Sequence, residues 1–164
     1  MNLCAEDTAA QADLVYGGPR AAGDTFGSAI ARMERAVVES CDEQAEWPAR
    51  IAAGINSAID FMVANPAAAR ALAGQSRSGE EEGDAGYVEM IDRFAGLLGA
   101  GAPHAERLPA SSDQSVVTLI AAIVSCHVRA GTVEALSNRD PDLVFLALLP
   151  YVGFAEACRW STTL

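Results

Sequence analysis

Apolar residues return at every third or fourth position through most of this chain, the period of a helix with one buried face. Phe26, Ile30, Met33 and Val37 follow i, i+4, i+7 and i+11 spacing. They predict a first helix over residues 25–41, with Asp24 or Thr25 as its cap. A second helix starts near Trp47, with Pro48 in the first turn, where a missing N–H costs nothing. Ile51, Ile55, Ile59, Phe61 and Met62 form its wide apolar face. It ends at Asn65-Pro66, because proline pushes the preceding residue out of helical geometry. A short third helix begins at Pro66, with Asn65 placed to cap it.

Residues 76–86 are polar and glycine-rich, and predict a break. Its acidic run reads as a solvated loop entering a helix, where negative charge is favoured. The spacing does not match a calcium-binding loop. A fourth helix follows over about 86–99, carrying Tyr87, Met90, Ile91, Phe94, Leu97 and Leu98, and Gly99 and Gly101 stop it. Residues 100–110 form a loop. Ser111-x-x-Gln114 is a capping-box pattern opening a fifth helix, Ser112 to about Ala130, with Gly131 as its C-cap. Asp140-Pro141 starts the last helix, which runs through Leu143, Val144, Phe145, Leu146, Leu148, Leu149, Tyr151, Val152 and Phe154. Pro150 inside it predicts a kink. No alternating strand pattern and no internal repeat appears. The expected fold is all-α, with about six helices over 25–162 behind a flexible leader, 1–24.

The last two helices are apolar on nearly every side, so each needs burial on more than one side. Their apolar runs, 116–128 and 143–158, are shorter than the roughly 20 residues a membrane span needs. The better expectation is one face on the domain's own core and another on a second subunit. Two helices from each subunit then close a four-helix bundle about a two-fold axis. Val117, Ile120, Val124, Leu143, Leu146, Pro150 and Tyr151 are the expected interface residues.

Charge narrows the choice of partners. The 164 residues carry a formal net charge of −11, and every basic residue is an arginine. An acidic surface repels phosphate, so this chain alone is not expected to bind nucleic acid. Cys4, Cys41, Cys126 and Cys158 are scattered, with no C-x-x-C pair. They suggest reduced thiols in a cytoplasm, and neither a zinc site nor a redox motif. The first 23 residues contain Glu6, Asp7 and Asp13 and lack the apolar stretch of a secretion signal.

Candidate chemistry is sparse. There is no phosphate-binding glycine loop, nucleophile elbow or E-x-x-H pair. No metal, cofactor or catalytic dyad is expected, and the chain is not expected to be an enzyme. Tyr87, Met90 and Phe94 share one face of the fourth helix, and Phe61 and Met62 sit late on the second. Met and aromatic side chains suit an adaptable apolar pocket, and they suit an ordinary core equally. His127 lies in the apolar fifth helix. It either hydrogen-bonds a ligand or is a core histidine satisfied by a carbonyl.

Several stretches resemble a known family. Trp47-Pro48-Ala49-Arg50-Ile51, Asp60-Phe61-Met62-Val63-Ala64-Asn65-Pro66 and Ala69-Arg70 look like the second and third helices of TetR-type C-terminal domains. Leu148-Leu149-Pro150-Tyr151-Val152-Gly153, followed by Glu156-Ala157, resembles the end of their last helix in actinobacterial members. The resemblance spans roughly 25–160. It implies a bacterial one-component regulator, in which these helices bind a small apolar or amphipathic effector and form a homodimer. It places Phe26 just after the DNA-reading domain. The preceding residues hold one arginine, Arg20, and no helix-turn-helix pattern. DNA binding is expected only of a longer chain that carries one. The alternative expectation is an orphan subunit that heterodimerises with a full-length regulator.

Overall fold

A computed structural model describes residues 25–75, 81–138 and 140–162. The expected leader, 1–24, and residues 76–80 of the expected loop lie outside them. Among the described residues there are six α-helices and no strand: α1 (Phe26–Asp42), α2 (Trp47–Ala64), α3 (Pro66–Gln75), α4 (Glu81–Gly99), α5 (Ser112–Ala130) and α6 (Asp140–Ser161). Short 3-10 turns at Ala105–Arg107 and Val133–Asn138 join the later helices. The chain is all-α, as its apolar periodicity predicts.

Local chemistry sets most boundaries. Thr25 caps α1, its Oγ1 accepting from the Ser28 N–H at 3.3 Å. Gly131 closes α5 in the left-handed conformation (φ 69°), its N–H reaching the carbonyls of His127 and Val128. Two expected caps are used differently. Ser111 makes no side-chain cap to α5, and Gln114 Nε2 instead donates to Asp92 Oδ1 on α4 at 2.7 Å. Asn65 turns its amide back onto the Phe61 carbonyl at 2.8 Å, finishing α2 as well as preceding α3. α4 begins five residues earlier than the apolar pattern indicates.

α1 packs mainly on α2, α2 on α6 and α4 on α5, while α3 bridges α1 and α5. The buried residues form two clusters. One holds Met33, Val37, Ile59, Met62, Leu72, Leu136 and Leu143. The other holds Trp47, Ile51, Leu98, Val144, Leu148 and Tyr151. Ile55 and Ile120 pack against both.

Trp47 organises the second cluster. Its indole N–H donates to the Leu98 carbonyl at 2.9 Å, and its ring tilts onto Tyr151 with centroids 5.1 Å apart. The Tyr151 hydroxyl donates in turn to the Asp113 carboxylate. Burial, then that carboxylate, pushes the Tyr151 phenol well above its ordinary range. Arg50, one turn after Trp47, donates to the Ala100 carbonyl at 2.6 Å. The start of α2 therefore satisfies the open carbonyls at the end of α4. Gly99 is needed at this crossing, because a Cβ there would run into the Asp113 carboxylate.

α6 is 22 residues long, longer than its apolar run indicates. Among the described helices it alone is long and apolar enough to cross a membrane by length and composition, with a mean hydropathy of 1.4. Leu143, Val144, Ala147, Leu148 and Tyr151 nevertheless pack in the chain's own core. Its break falls at Gly153 (φ 76°, ψ 173°), three residues past the proline. Pro150 removes one backbone donor, but Gly153 absorbs the change of direction, in a region essentially open only to glycine.

A Cβ at Gly153 would meet nothing within 4 Å. Gly153→Ala therefore adds backbone strain without a clash. It should lower the free energy of urea unfolding by about 1–3 kcal/mol, with the helical circular dichroism of the native state retained.

Asp140 opens α6, and its Oδ1 is buried without a hydrogen-bond partner. Burial, helped by the nearby Asp60 carboxylate, raises its pKa from 3.8 to about 6. The folded chain thus holds this proton more tightly than the unfolded chain, and stability falls as pH rises from about 4 to about 6. Asp140→Asn should raise the melting temperature above pH 6 and leave it nearly unchanged below pH 4. Thermal unfolding across that range checks both the sign and the window.

Candidate functional site

The chemistry-bearing space in this fold is a cavity of about 160 Å³ at the junction of all six helices, partly open to the surface. Its walls are nearly all aliphatic or aromatic. Met33 and Val37 come from α1, Ile55, Ile59 and Met62 from α2, and Leu72 from α3. Tyr87, Met90 and Phe94 descend from α4, and α5 lays Val117, Ile120 and Val124 along another wall. Leu143 and Ala147 on α6 complete it.

Local sequence explains why space is left there. α2 and α3 present Ala58, Ala69 and Ala73 to the cavity, residues too small to fill it. Longer side chains ring these positions and are fixed by the two core clusters. A largely apolar cavity of this size has room for an apolar guest.

Among the described residues, three polar side chains face the cavity: Cys41, Tyr87 and Ser125. The Cys41 thiol is buried and donates to the Arg50 carbonyl at 3.4 Å. Burial pushes its pKa up, against the opposing pull of Arg50, so it is a thiol and not a thiolate nucleophile. Tyr87 is half-buried, and burial raises its phenol pKa as well. Ser125 is 8% exposed and is the one fully buried residue of α5. Neither hydroxyl has a hydrogen-bond partner among the described residues.

Of the residues singled out for a pocket, Met62, Tyr87, Met90 and Phe94 meet in this cavity. Phe61 and His127 do not. Phe61 is half-buried against the first core cluster, with the Arg32 guanidinium 5.5 Å above its ring. His127 turns to the end of α5, its Nδ1 3.1 Å from Thr132 Oγ1. Each sits one position away on its helix from a residue that does line the cavity, Met62 and Val128.

The expected interface residues divide. Val117, Ile120, Val124 and Leu143 line the cavity, and Tyr151 is buried against Trp47. Leu146 is half-buried and Pro150 is exposed. On helices apolar all round, periodicity cannot say which face turns inward. The side chains left in solvent include Leu119 on α5 (49% exposed) and Phe154 on α6 (70%), whose ring stands edge-on to Phe145 at 5.7 Å. Sequence reasoning passed over Ser125. The signal for it was a hydroxyl in the aliphatic second half of α5.

Among the described residues no three His, Cys, Asp or Glu side chains group as metal ligands. Cys41, Cys126 and Cys158 are free thiols. No family model matches the chain, and neither a curated protein nor a solved structure matches it.

Benzene fits an apolar cavity of this volume. Saturating benzene should raise the melting temperature of the wild-type chain, since it binds only the folded state. Val124→Phe, which fills the cavity from α5, should abolish that response while folding normally. Differential scanning fluorimetry of the two proteins checks it.

Proposed function

We propose that this chain is the ligand-sensing and dimerisation domain of a TetR-like bacterial regulator, acting in the cytoplasm and not binding DNA by itself. The observation that carries the proposal is the apolar cavity lined from every helix of the domain. A guest there touches all six helices at once. It therefore favours whichever relative arrangement of α1, α5 and α6 contacts it best, and a ligand shifts a conformational equilibrium only through such differential contact. The resemblance of residues 25–160 to TetR-type C-terminal domains supplies the regulatory setting. The net charge of −11 supports separating ligand sensing from DNA reading.

The dimer half of the proposal is supported by α5. This helix carries Val116, Val117, Leu119, Ile120, Ile123, Val124 and Val128, yet only Ser125 on it is fully buried. A helix so apolar is under-covered by its own chain. A second copy laid on α5 and the outer face of α6 would cover Leu119, Phe154 and Pro150. Those two helices then supply half of a four-helix bundle.

A second proposal uses the same exposed side chains. An orphan subunit would lay them on a longer relative and form a heterodimer in place of the homodimer.

Sedimentation of the isolated chain separates the two. The homodimer proposal expects twice the mass of the 17.1 kDa chain, and a monomer for the double variant Leu119→Glu/Phe154→Glu with its helicity intact. A wild-type monomer that pairs only with a longer relative would favour the heterodimer instead.

A further inference from the structure

We infer that the cavity selects a neutral, single-ring apolar molecule bearing one hydrogen-bonding group, and that the Ser125 hydroxyl is the group that reads it. This rests on the ligand-sensing function proposed above. The size of the guest follows from the volume. About 160 Å³ is close to the volume of apolar cavities that take benzene, so one ring with a small substituent fits.

Its neutrality follows from the walls. Among the described residues no Arg, His, Asp or Glu side chain lines the cavity, so an ionised carboxylate or amine would meet no counter-charge from them. Its single polar group follows from the inventory of wall groups. The Cys41 thiol is already engaged with the Arg50 carbonyl. Tyr87 is only half-buried at the α4 side of the cavity and can reach solvent.

Ser125 differs from both. It is 8% exposed, lines the cavity, and sits among Ile120, Val124 and Val128 on the same helix. A serine inside a helix commonly returns its hydroxyl to the carbonyl four residues back. Ser115 does so here, donating to the Ser111 carbonyl at 2.8 Å. Ser125 does not, and its hydroxyl has no partner among the described residues. A hydroxyl both donates and accepts, so it can meet the O–H of a phenol or the carbonyl of a cyclic ketone. The cavity then has a polar reference point on one wall and apolar surface on the others, the arrangement that orients small ligands.

Phenol, benzene and benzoate are the probes, titrated calorimetrically into the wild-type chain and into Ser125→Ala and Tyr87→Phe. Phenol is expected to bind wild type about fivefold tighter than benzene, the size of one ordinary hydrogen bond. Benzoate should bind at least tenfold more weakly than phenol, roughly the penalty of one uncompensated buried interaction. Ser125→Ala should erase the preference for phenol and leave benzene binding unchanged, while Tyr87→Phe keeps the preference. Benzene binding with no preference for phenol, or a preference that survives in Ser125→Ala, would overturn this inference and leave the ligand-sensing proposal standing. If no probe binds the folded wild-type chain, both fall.

Discussion

The indole of Trp47 is the constraint on which the arrangement of the later helices depends. One side chain satisfies the last turn of α4 through the Leu98 carbonyl and packs its ring on Tyr151 of α6. Tyr151 passes the connection to Asp113 at the start of α5. Four helices are therefore held at one point by two hydrogen bonds and one ring contact. Replacing the indole by an apolar group would leave a buried carbonyl unpaired, at a cost of about 1–3 kcal/mol. Arg50 repeats the device one turn later, and Gly99 gives the Asp113 carboxylate room to approach.

That anchored end explains why space survives elsewhere. Close packing normally removes voids in a core of this kind. Here the helices do not slide together over Ala58, Ala69 and Ala73, because their crossings are fixed at the Trp47 end and by the cluster around Ile59 and Leu143. The small residues leave the volume, and the anchored helices keep it. A cavity supported in this way can bind a guest without first refolding the domain.

The polar defects differ in kind. Asp140 sits at a helix join with one carboxylate oxygen buried and unpaired, close enough to Asp60 to feel its charge. That arrangement makes stability depend on pH and offers nothing to a ligand. Ser125 faces the cavity, where an unpaired hydroxyl meets whatever enters. The difference lies in their surroundings, since both are short polar side chains on apolar helices.

The sequence by itself determined the helices. Periodic apolar positions, Pro48 and Pro66 at helix starts, Thr25 as a cap and Gly131 as a stop are local signals, and local physics honours them. It also placed Tyr87, Met90 and Phe94 together, because residues three or four apart must share a helix face. The tertiary structure decided what local rules leave free. An all-apolar helix has no preferred face, so whether Val117, Ile120 and Val124 meet a cavity or another chain depends on which neighbour reaches them first. Asn65 could cap α3 or close α2, and its amide turns back to the Phe61 carbonyl. The turn in α6 followed Gly153 and not Pro150, because only glycine can take the backbone geometry that the crossing demands. The role open to Ser125 comes entirely from its surroundings, which are brought together from distant parts of the chain.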